Sequence, residues 1–208
     1  MFNFDLLSML YSIPAILIGF SFHEFAHAYS AYLLGDNTAK ARGRLTLDPI
    51  SHIDIFGFIA LMIAGFGWAK PVPINPLNFK NRKAGSIIVS LAGPLMNLLL
   101  AIVSLAILYF SMYVLNIQNE IYYGIMSRIY SINIVLAVFN LIPLPPLDGS
   151  KILAGFLPNR AEFAMYKYEN YTYVLLMVLV FTGVINAVLG PMINMADGAV
   201  SNLVGLFF

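Results

Sequence analysis

The chain has 208 residues, of which 60% are hydrophobic and only 10% are charged, with a net charge of +1 and no cysteine. A soluble domain usually carries about 25% charged residues, so this composition predicts an integral membrane protein. The balanced charge, without a basic stripe, argues against a nucleic-acid partner. The lack of cysteine excludes a disulfide framework and thiolate metal ligands.

The first predicted element is a membrane helix from about Asp5 to Leu34, which Gly35-Asp36-Asn37 ends. Later stretches also approach the ~20 apolar residues that a helix needs to cross the hydrocarbon layer, and the alternation typical of a membrane barrel is missing. We therefore predict an all-α fold, a polytopic membrane helix bundle of about four to six membrane segments. It forms one domain over residues 1–208, with a core of about 5–151.

The stretch after the first helix is predicted to be irregular. Residues 55–68, IFGFIALMIAGFGW, are 14 residues with three glycines, which is short for a crossing, so we expect a re-entrant or β-hairpin-like element. The following KPVPINP is predicted to be extended, because each proline drives its predecessor out of helical geometry. Another extended chain can pair as a strand with such a segment, and we expect the backbone around Ile74 to offer this edge.

Three further spans follow in chain order. Ala84 to Leu115 is a predicted long helix, and residues 116–128 are a short polar connection. Residues 129–142 begin another span, which breaks into the proline-rich PLPPLDG. Residues of about 171–190 form a predicted final span in the C-terminal part of the chain.

The basic residues predict an orientation in the membrane. Ten of the eleven lysines and arginines lie in residues 36–83 and 151–170, and Arg128 lies in the connection that a helix bundle places on the other side. Because basic residues collect on the cytoplasmic side of membrane proteins, this places the N-terminus outside the cell.

HEFAH, residues 23–27, lies at the inner end of the first apolar run. Four residues advance a helix by about 400°, so His23 and His27 share one face and Glu24 points close by. This is the zinc-hydrolase spacing, in which two histidines hold one Zn²⁺ and the glutamate takes a proton from metal-bound water. The alternative is a chance pattern of polar positions, but ionisable groups in lipid cost roughly 2.5–3.5 kcal/mol each and are usually functional.

A catalytic zinc site needs a third protein ligand and one open position. The candidates are His52 and a few carboxylates, and Asp148 is the best of them because it follows the prolines of PLPPLDG. Irregular backbone at membrane depth is tolerated where it lines a water-filled cavity, which the zinc would share. Asp148 as the cap of a helix starting at Ser150 is the alternative. His52 lies in a polar loop and is expected to be solvated.

These motifs resemble the site-2 protease family of intramembrane zinc proteases, in its short bacterial and archaeal form without a PDZ or CBS domain. The resemblance covers about residues 20–151 and rests on HEFAH, GPLMN (93–97), NLIPLPPLDG (140–149), DPISHIDIFGF and GWAKPVPINPLNF.

The resemblance implies an enzyme, a zinc metalloendopeptidase that cleaves transmembrane segments of membrane proteins within the bilayer of a bacterial or archaeal cell. It also implies that His23, His27 and Asp148 bind one Zn²⁺ near the cytoplasmic face and that Glu24 is the general base. The expected partners are a transmembrane protein or peptide substrate and the lipid bilayer.

By the same likeness, Asn97 and Asn140 lie beside the metal and help to bind substrate or the developing oxyanion. Gly93-Pro94 is expected to disrupt the second core helix one turn before Asn97 and to free a carbonyl near Ser90. For both asparagines the alternative is a hydrogen-bonding contact between helices. We slightly prefer this alternative for Asn140.

A membrane zinc transporter or metal sensor is the rival interpretation, since two histidines and an aspartate also hold a transported ion. Glu24 separates the two readings, because a transporter needs no base at that spacing. A di-iron oxygenase is excluded, since such sites need many histidines and this chain has three.

Overall fold

The fold is known from a computed structural model that describes residues 6–64 and 67–208. In chain order, the elements are α1 (Leu6–Leu33), α2 (Thr38–Ala41), α3 (Pro49–His52), α4 (Ile55–Ala64), a short 3₁₀ helix (Pro76–Asn78), α5 (Arg82–Tyr113), α6 (Glu120–Asn140), α7 (Asp148–Phe156), α8 (Asn159–Lys167), α9 (Glu169–Phe181) and α10 (Val184–Gly205). Asp5, the predicted start of the first helix, lies outside the described residues, as do residues 65 and 66 of the predicted re-entrant piece.

Three of the described helices are long and apolar enough to cross a membrane, namely residues 9–33 of α1, the whole of α5 and the whole of α6. A fourth span exists if α9 and α10, which meet at an angle of 80°, are taken together as one broken span. The all-α membrane bundle is thereby confirmed, and the described residues contain three candidate spans, or four with the broken span, against about four to six predicted.

Helix α1 packs against both α5 and α6. Small residues permit this packing: Ala28 and Ala31 are completely buried. At Gly19 an added Cβ would lie only 2.8 Å from Cδ1 of Leu136 on α6. Close contact through small residues is typical of membrane helices, because lipid supplies no hydrophobic force between them. HEFAH is thus enclosed by the two other spans.

Both α1 and α5 continue through an internal proline, Pro14 and Pro94 respectively. The predicted disruption of the second core helix at Gly93-Pro94 is therefore wrong. A proline removes one intrahelical hydrogen bond, but neighbouring helices in a membrane bundle can keep such a helix regular. Gly93 and Asn97 consequently lie about one turn apart on the same face of a single continuous helix.

The segment between α1 and α5 contains a short hairpin. Helix α4 has 10 residues, or about 15 Å of length, which is half the ~30 Å of the hydrocarbon layer. Its two ends are joined by an antiparallel bridge between Ile53 and Ala69 and by the amide of Lys70, which donates to the carbonyl of His52 at 2.9 Å. The predicted re-entrant or hairpin-like element is therefore helical over residues 55–64, without helical structure at residues 67 and 68, and closed at its base by one pair of bridging residues.

Residues 69–75, which we call the strap, run without helical structure past the inner end of α1, as the prolines predict. Val72 of the strap is buried against α1 and α2. Nearer its beginning, Nη2 of Arg44 donates to the carbonyl of Lys70 at 2.8 Å. The strap is thus fastened to the body of the protein at several points.

Asp36, just after α1, fixes the far end of the strap. Its carboxylate is 1% exposed and accepts the amides of Thr38 at 3.0 Å and Asn75 at 2.7 Å, together with the side-chain amide of Asn78 at 2.7 Å. Burial raises the pKa of Asp36, but the hydrogen bonds from Thr38, Asn75 and Asn78 outweigh it and hold that pKa below its usual value.

The C-terminal part differs from the single span predicted for about residues 171–190. Helix α9 ends at Phe181, and the chain turns by 80° at Gly183, whose φ of +75° is a conformation that glycine adopts without strain. Helix α10 then packs against α5 and α6, where the Tyr130 hydroxyl donates to Oδ1 of Asp197 at 2.6 Å. The break at Gly183 is a backbone feature that hydrophobicity does not reveal.

Helices α7 and α8 are attached to the start of α5. Arg82 forms a two-pronged ion pair with Glu162 of α8, at 2.5 and 2.7 Å, which holds the pKa of Glu162 below its usual range. Nζ of Lys83 donates to the carbonyl of Leu157 at the end of α7. These contacts fix α7, which begins at Asp148, relative to α5.

Candidate metal centre

Helix α1 brings the two histidines of HEFAH together, as their spacing predicts. The Nε2 atoms of His23 and His27 lie 3.0 Å apart, and both side chains are buried. The two rings are nearly perpendicular, with an interplanar angle of 88°, so they do not stack but point their edges at a common point. This arrangement suits two ligands of one ion.

The opposite nitrogen of each ring is held by α5. Nδ1 of His23 donates to Oδ1 of Asn97 at 2.6 Å, and Nδ1 of His27 donates to the carbonyl of Val89 at 2.7 Å. Because both partners are acceptors, we assign the proton of each ring to Nδ1, which leaves a lone pair on each Nε2. Hydrogen bonds of this kind orient metal-binding histidines in proteins.

Asp148 completes a group of three. Its Oδ2 lies 3.1 Å from Nε2 of His23 and 3.0 Å from Nε2 of His27, although 125 and 121 residues separate it from them in the chain. Asp148 is the first residue of α7, whose cap residue is Leu147, and it makes no capping hydrogen bond. The alternative of Asp148 as a helix cap is therefore not supported.

The three atoms fit a zinc ion. Two lone pairs and a carboxylate oxygen would repel one another at 3.0–3.1 Å unless a cation lay among them. A tetrahedral zinc with bonds of about 2.0–2.2 Å places neighbouring ligand atoms about 3.3 Å apart, close to the observed separations. In the described part of the chain this is the one cluster of histidine and carboxylate groups suited to a metal.

Two glycines make room for these ligands. A Cβ at Gly93 on α5 would lie 2.5 Å from Nε2 of His27 and 2.6 Å from Cε1 of His23. A Cβ at Gly149, directly after Asp148, would lie 2.2 Å from the carbonyl oxygen of Leu141. Such distances are impossible without movement, so side chains at these positions would displace the imidazoles or the start of α7.

Glu24 lies in the same cavity, of about 230 Å³, as both histidines and Asp148. It is buried, and its Oε2 accepts the backbone amide of Val72 of the strap at 2.7 Å. The remaining walls come from the strap, from the end of α6 and from Tyr173 and Leu176 of α9. A carboxylate so placed can accept a proton inside the cavity.

The two predicted asparagines lie in different surroundings. Asn97 is completely buried, and its amide group donates to the carbonyl of Gly19 and to Oδ1 of Asn133, at 3.1 and 2.8 Å. Asn140 lines the cavity, and its amide donates to the carbonyl of Leu136 at 2.9 Å. Thus Asn97 contacts a histidine, whereas Asn140 is the one that faces the cavity.

His52 is not among the residues that line the cavity of this centre. It is completely buried, contrary to the prediction of a solvated loop residue, and its Nε2 lies 2.7 Å from the carbonyl of Thr46. Its carbonyl accepts the amide of Lys70 at the base of the α4 hairpin. The buried side chain of His52 therefore stabilises the loop that precedes α4.

The sequence itself was then compared with known proteins. The sequence model of peptidase family M50 matches residues 115–185, which include α6, the proline-rich break and Asp148. YwhC of Bacillus subtilis, named as a candidate zinc metalloprotease, is 39% identical over 204 residues, 96% of this chain and 93% of that protein. The chain belongs to peptidase family M50.

More distant relatives agree with this family membership. Rip2 of Mycobacterium tuberculosis strain H37Rv is 30% identical over 84% of the chain and 68% of its own length. MJ0611 of Methanocaldococcus jannaschii is 33% identical over 73% of each chain. Both are likewise named as candidate zinc metalloproteases. No solved structure matches this M50 family member significantly.

Two residues at the centre of this M50 family member were missed by sequence reasoning. Asn133 on α6 is completely buried and links Asn97 to the carbonyl of Ile129. Lys151 lines the cavity, with its Nζ 3.1 Å from Oδ1 of Asp148. The sequence did offer a signal for each of them. Asn133 is a polar residue within an apolar helix, and Lys151 follows Asp148 by one helical turn.

Proposed function

We propose that this protein cleaves transmembrane segments of membrane proteins inside the bilayer, at a zinc ion held by His23, His27 and Asp148. The observation that carries the proposal is the convergence of two imidazole nitrogens and one carboxylate oxygen within 3.0–3.1 Å, on or beside membrane-crossing helices. Glu24 in the same cavity is the proposed general base. The proposal takes residues 1–208 as one protease domain.

The assignment of the chain as a zinc metalloendopeptidase rests on its family membership. As a member of peptidase family M50 with named zinc-metalloprotease relatives, the chain is a zinc metalloendopeptidase. Its long apolar helices make it an integral membrane protein. Membership of a family of membrane proteases implies a membrane-protein substrate in the lipid bilayer. What is proposed beyond this is the site of cleavage, the role of each residue and the orientation.

Each residue of the centre has one task in the proposed reaction. His23 and His27 hold the zinc ion through Nε2, while Asn97 and the carbonyl of Val89 keep both rings in the required tautomer. Zinc, when bound, lowers the pKa of a water molecule to about 7 and polarises the scissile carbonyl. Glu24 takes the proton from that water and passes it to the amine that leaves.

The strap provides a wall on which substrate can lie. A transmembrane helix hides its amides in internal hydrogen bonds, so it must unwind before cleavage. Val72 and Ile74 of the strap line the cavity, and the amide of Val72 is already engaged by Glu24. We propose that an unwound substrate pairs with the strap beside Glu24. Unchanged cleavage after replacement of the strap by a Gly/Ser loop would refute this pairing.

The position of the basic residues supports an active site near the cytoplasmic face. The strap and Lys151 both line the cavity, and a second depression, which shares Pro71 of the strap, is lined by Arg42, Arg44 and Lys70. Because basic residues collect on the cytoplasmic side, this end of the bundle is the cytoplasmic one in the proposed orientation, and the N-terminus is outside.

A cleavage assay combined with metal analysis tests the proposal. Wild-type protein and the variants Glu24→Gln and Asp148→Ala are each co-expressed with a panel of tagged single-span membrane proteins, and the purified proteins are assayed for zinc. We expect the wild type to cut a panel member and to hold about one zinc per chain. Glu24→Gln should keep zinc but lose cleavage, and Asp148→Ala should lose both.

The exposed Glu120 at the start of α6 supplies the matched control, and Glu120→Gln should behave as the wild type. Persistent cleavage by Glu24→Gln would give that residue another role. A zinc flux in proteoliposomes without cleavage of any panel member would favour the transporter interpretation.

A further inference from the structure

We propose that Lys151 is a positioning residue, which holds Asp148 so that it offers only one carboxylate oxygen to the metal. Oδ2 of Asp148 lies 3.1 and 3.0 Å from the two imidazole nitrogens, whereas Oδ1 lies 3.1 Å from Nζ of Lys151. The two oxygens of one side chain thus have separate partners. This inference rests on the proposed zinc site and adds a determinant of its coordination number.

The reason lies in how carboxylates bind metals. A carboxylate can bind a metal through one oxygen or through both. A catalytic zinc requires three protein ligands and one position left open for water. A second oxygen from Asp148 would compete for that position. A charge-assisted hydrogen bond from an ammonium group is strong enough to keep Oδ1 turned away.

A simple ion pair on the first turn of α7 is the plainer interpretation of Lys151. Three observations go further. Lys151 lines the cavity that contains Glu24 and both histidines, and among the described residues lining it no other lysine or arginine occurs. Its side chain keeps 46% of its surface accessible, although its partner Asp148 has only 6%. The ammonium group thus reaches a buried carboxylate of the centre from a half-exposed position at the cavity.

Contacts at both ends also hold helix α7 in position. Gly149 packs against the carbonyl oxygens of Leu141 and Ile142, and Lys83 binds the carbonyl of Leu157 at the other end of α7. Helix α7 therefore has little freedom to move when the ammonium group is removed. Loss of Lys151 is expected to free the carboxylate of Asp148 to rotate while leaving the helix in place.

Replacement of zinc by cobalt allows the coordination number of the metal to be measured. Zinc is replaced by Co²⁺ in purified wild type and in the variants Lys151→Met, Lys151→Gln and Lys151→Arg, and the visible spectrum reports the coordination number. We expect the strong bands of a four-coordinate ion in the wild type and the weaker bands of a five-coordinate ion in Lys151→Met. The shorter Lys151→Gln should resemble Lys151→Met, and Lys151→Arg should restore the wild-type spectrum. Lys151→Gln supplies the result if Lys151→Met does not fold.

Kinetics provides the second measurement, on a single-span protein that the wild type cleaves. The loss of a residue that orients a metal ligand typically costs about 10- to 100-fold in activity or metal affinity. We expect a fall of that size in kcat for Lys151→Met with KM nearly unchanged, because substrate binding does not use this contact. Lys83→Met is the comparison variant, since it removes the other lysine contact to α7 and keeps the contact of Lys151 with Asp148, so its cobalt spectrum should stay closer to that of the wild type than the spectrum of Lys151→Met.

The outcomes separate this inference from the proposed function. If the wild type binds neither zinc nor Co²⁺, both fail. If the wild type shows a four-coordinate spectrum that Lys151→Met and Lys151→Gln share, the positioning role of Lys151 is wrong and the zinc site stands. If Lys83→Met changes the spectrum as much as Lys151→Met does, the effect belongs to the placement of α7, and the inference is likewise overturned.

Discussion

At the scale of single residues, the centre depends on side chains that do not themselves bind the metal. Asn97 accepts a hydrogen bond from His23 and donates to Gly19 and Asn133, so its amide is used entirely within the protein. Because the amide nitrogen of Asn97 donates to the carbonyl of Gly19, the amide oxygen is the atom that faces His23. This arrangement favours an orienting role for Asn97 over the oxyanion role that the family resemblance implies.

The substitution Asn97→Leu distinguishes the two roles. An orienting residue supports the ligand itself, so we expect zinc affinity to fall by about 10- to 100-fold. A donor to the oxyanion would lower kcat and leave zinc affinity unchanged. The measurement is a competition between the purified protein and a chelator. In the comparison variant Asn140→Leu, zinc affinity should stay at the wild-type level, because Asn140 contacts only the carbonyl of Leu136 in the described hydrogen bonds.

Gly93 provides a second residue-scale prediction. Gly93→Ala should displace His27 or His23, because the new Cβ would lie 2.5–2.6 Å from their ring atoms. We expect substoichiometric zinc in the purified variant. Gly190→Ala on α10 is the control, since nothing lies within 4 Å of its Cβ position. Alanine there should keep full zinc and stabilise the helix by up to about 1 kcal/mol. Full zinc in Gly93→Ala would show that α1 and α5 can separate at low cost.

At the scale of elements, the strap is held at its far end by one buried carboxylate. Asp36 receives hydrogen bonds from both the turn after α1 and the residues that end the strap. Its pKa lies below the usual value in the folded protein, so the unfolded chain binds its proton more tightly. The stabilisation is therefore fully present above the ordinary pKa of about 3.8 and is lost as the pH falls through the lower, folded-state pKa.

Asp36→Asn tests this dependence by thermal unfolding in detergent at a series of pH values. At pH 7 we expect a loss of about 1–3 kcal/mol, since hydrogen bonds to an ionised group are involved. The difference from the wild type should shrink as the pH falls below about 4. The control is Asp48→Asn, because Asp48 caps α3 from an exposed position and asparagine caps equally well. A difference that is constant with pH would mean that the charge of Asp36 contributes nothing.

The elements also show how far the sequence can be interpreted. Residues 23–27 depend only on helical periodicity, which is local, so the meeting of His23 and His27 could be predicted, and the prolines before Asp148 marked the break that carries it. The contact of Asn97 with His23, the buried position of His52 and the proximity of Lys151 to Asp148 depend on which faces of distant elements meet. Composition and spacing carry no such information, and the bend at Gly183 is hidden within an apolar stretch for the same reason.

At the scale of the whole molecule, the two ends of the bundle differ in their basic residues. The connection from α5 to α6 contains no lysine or arginine among residues 114–119, whereas the other end of the bundle carries the strap and the Arg82–Glu162 pair. The strap and Lys151, which lie at this second end, line the cavity with Glu24. Orientation and access of water to the centre are therefore aspects of one arrangement.

Cysteine labelling tests the orientation directly, because the chain has no cysteine of its own. Gln118→Cys lies in the exposed connection before α6, and Asn159→Cys lies at the exposed start of α8. We expect a membrane-impermeant maleimide to label intact cells at position 118 only, and to label position 159 after the membrane is permeabilised. Labelling in the reverse pattern would place the centre at the outer face.

The wide separation of the ligands along the chain has a consequence for biosynthesis. His23 and Asp148 are 125 residues apart, and α5 and α6 lie between them. A nascent polypeptide still emerging from the ribosome possesses the two imidazoles long before the carboxylate and the lysine beside it. The three groups of the proposed zinc site can therefore meet only after α5, α6 and the start of α7 have been synthesised.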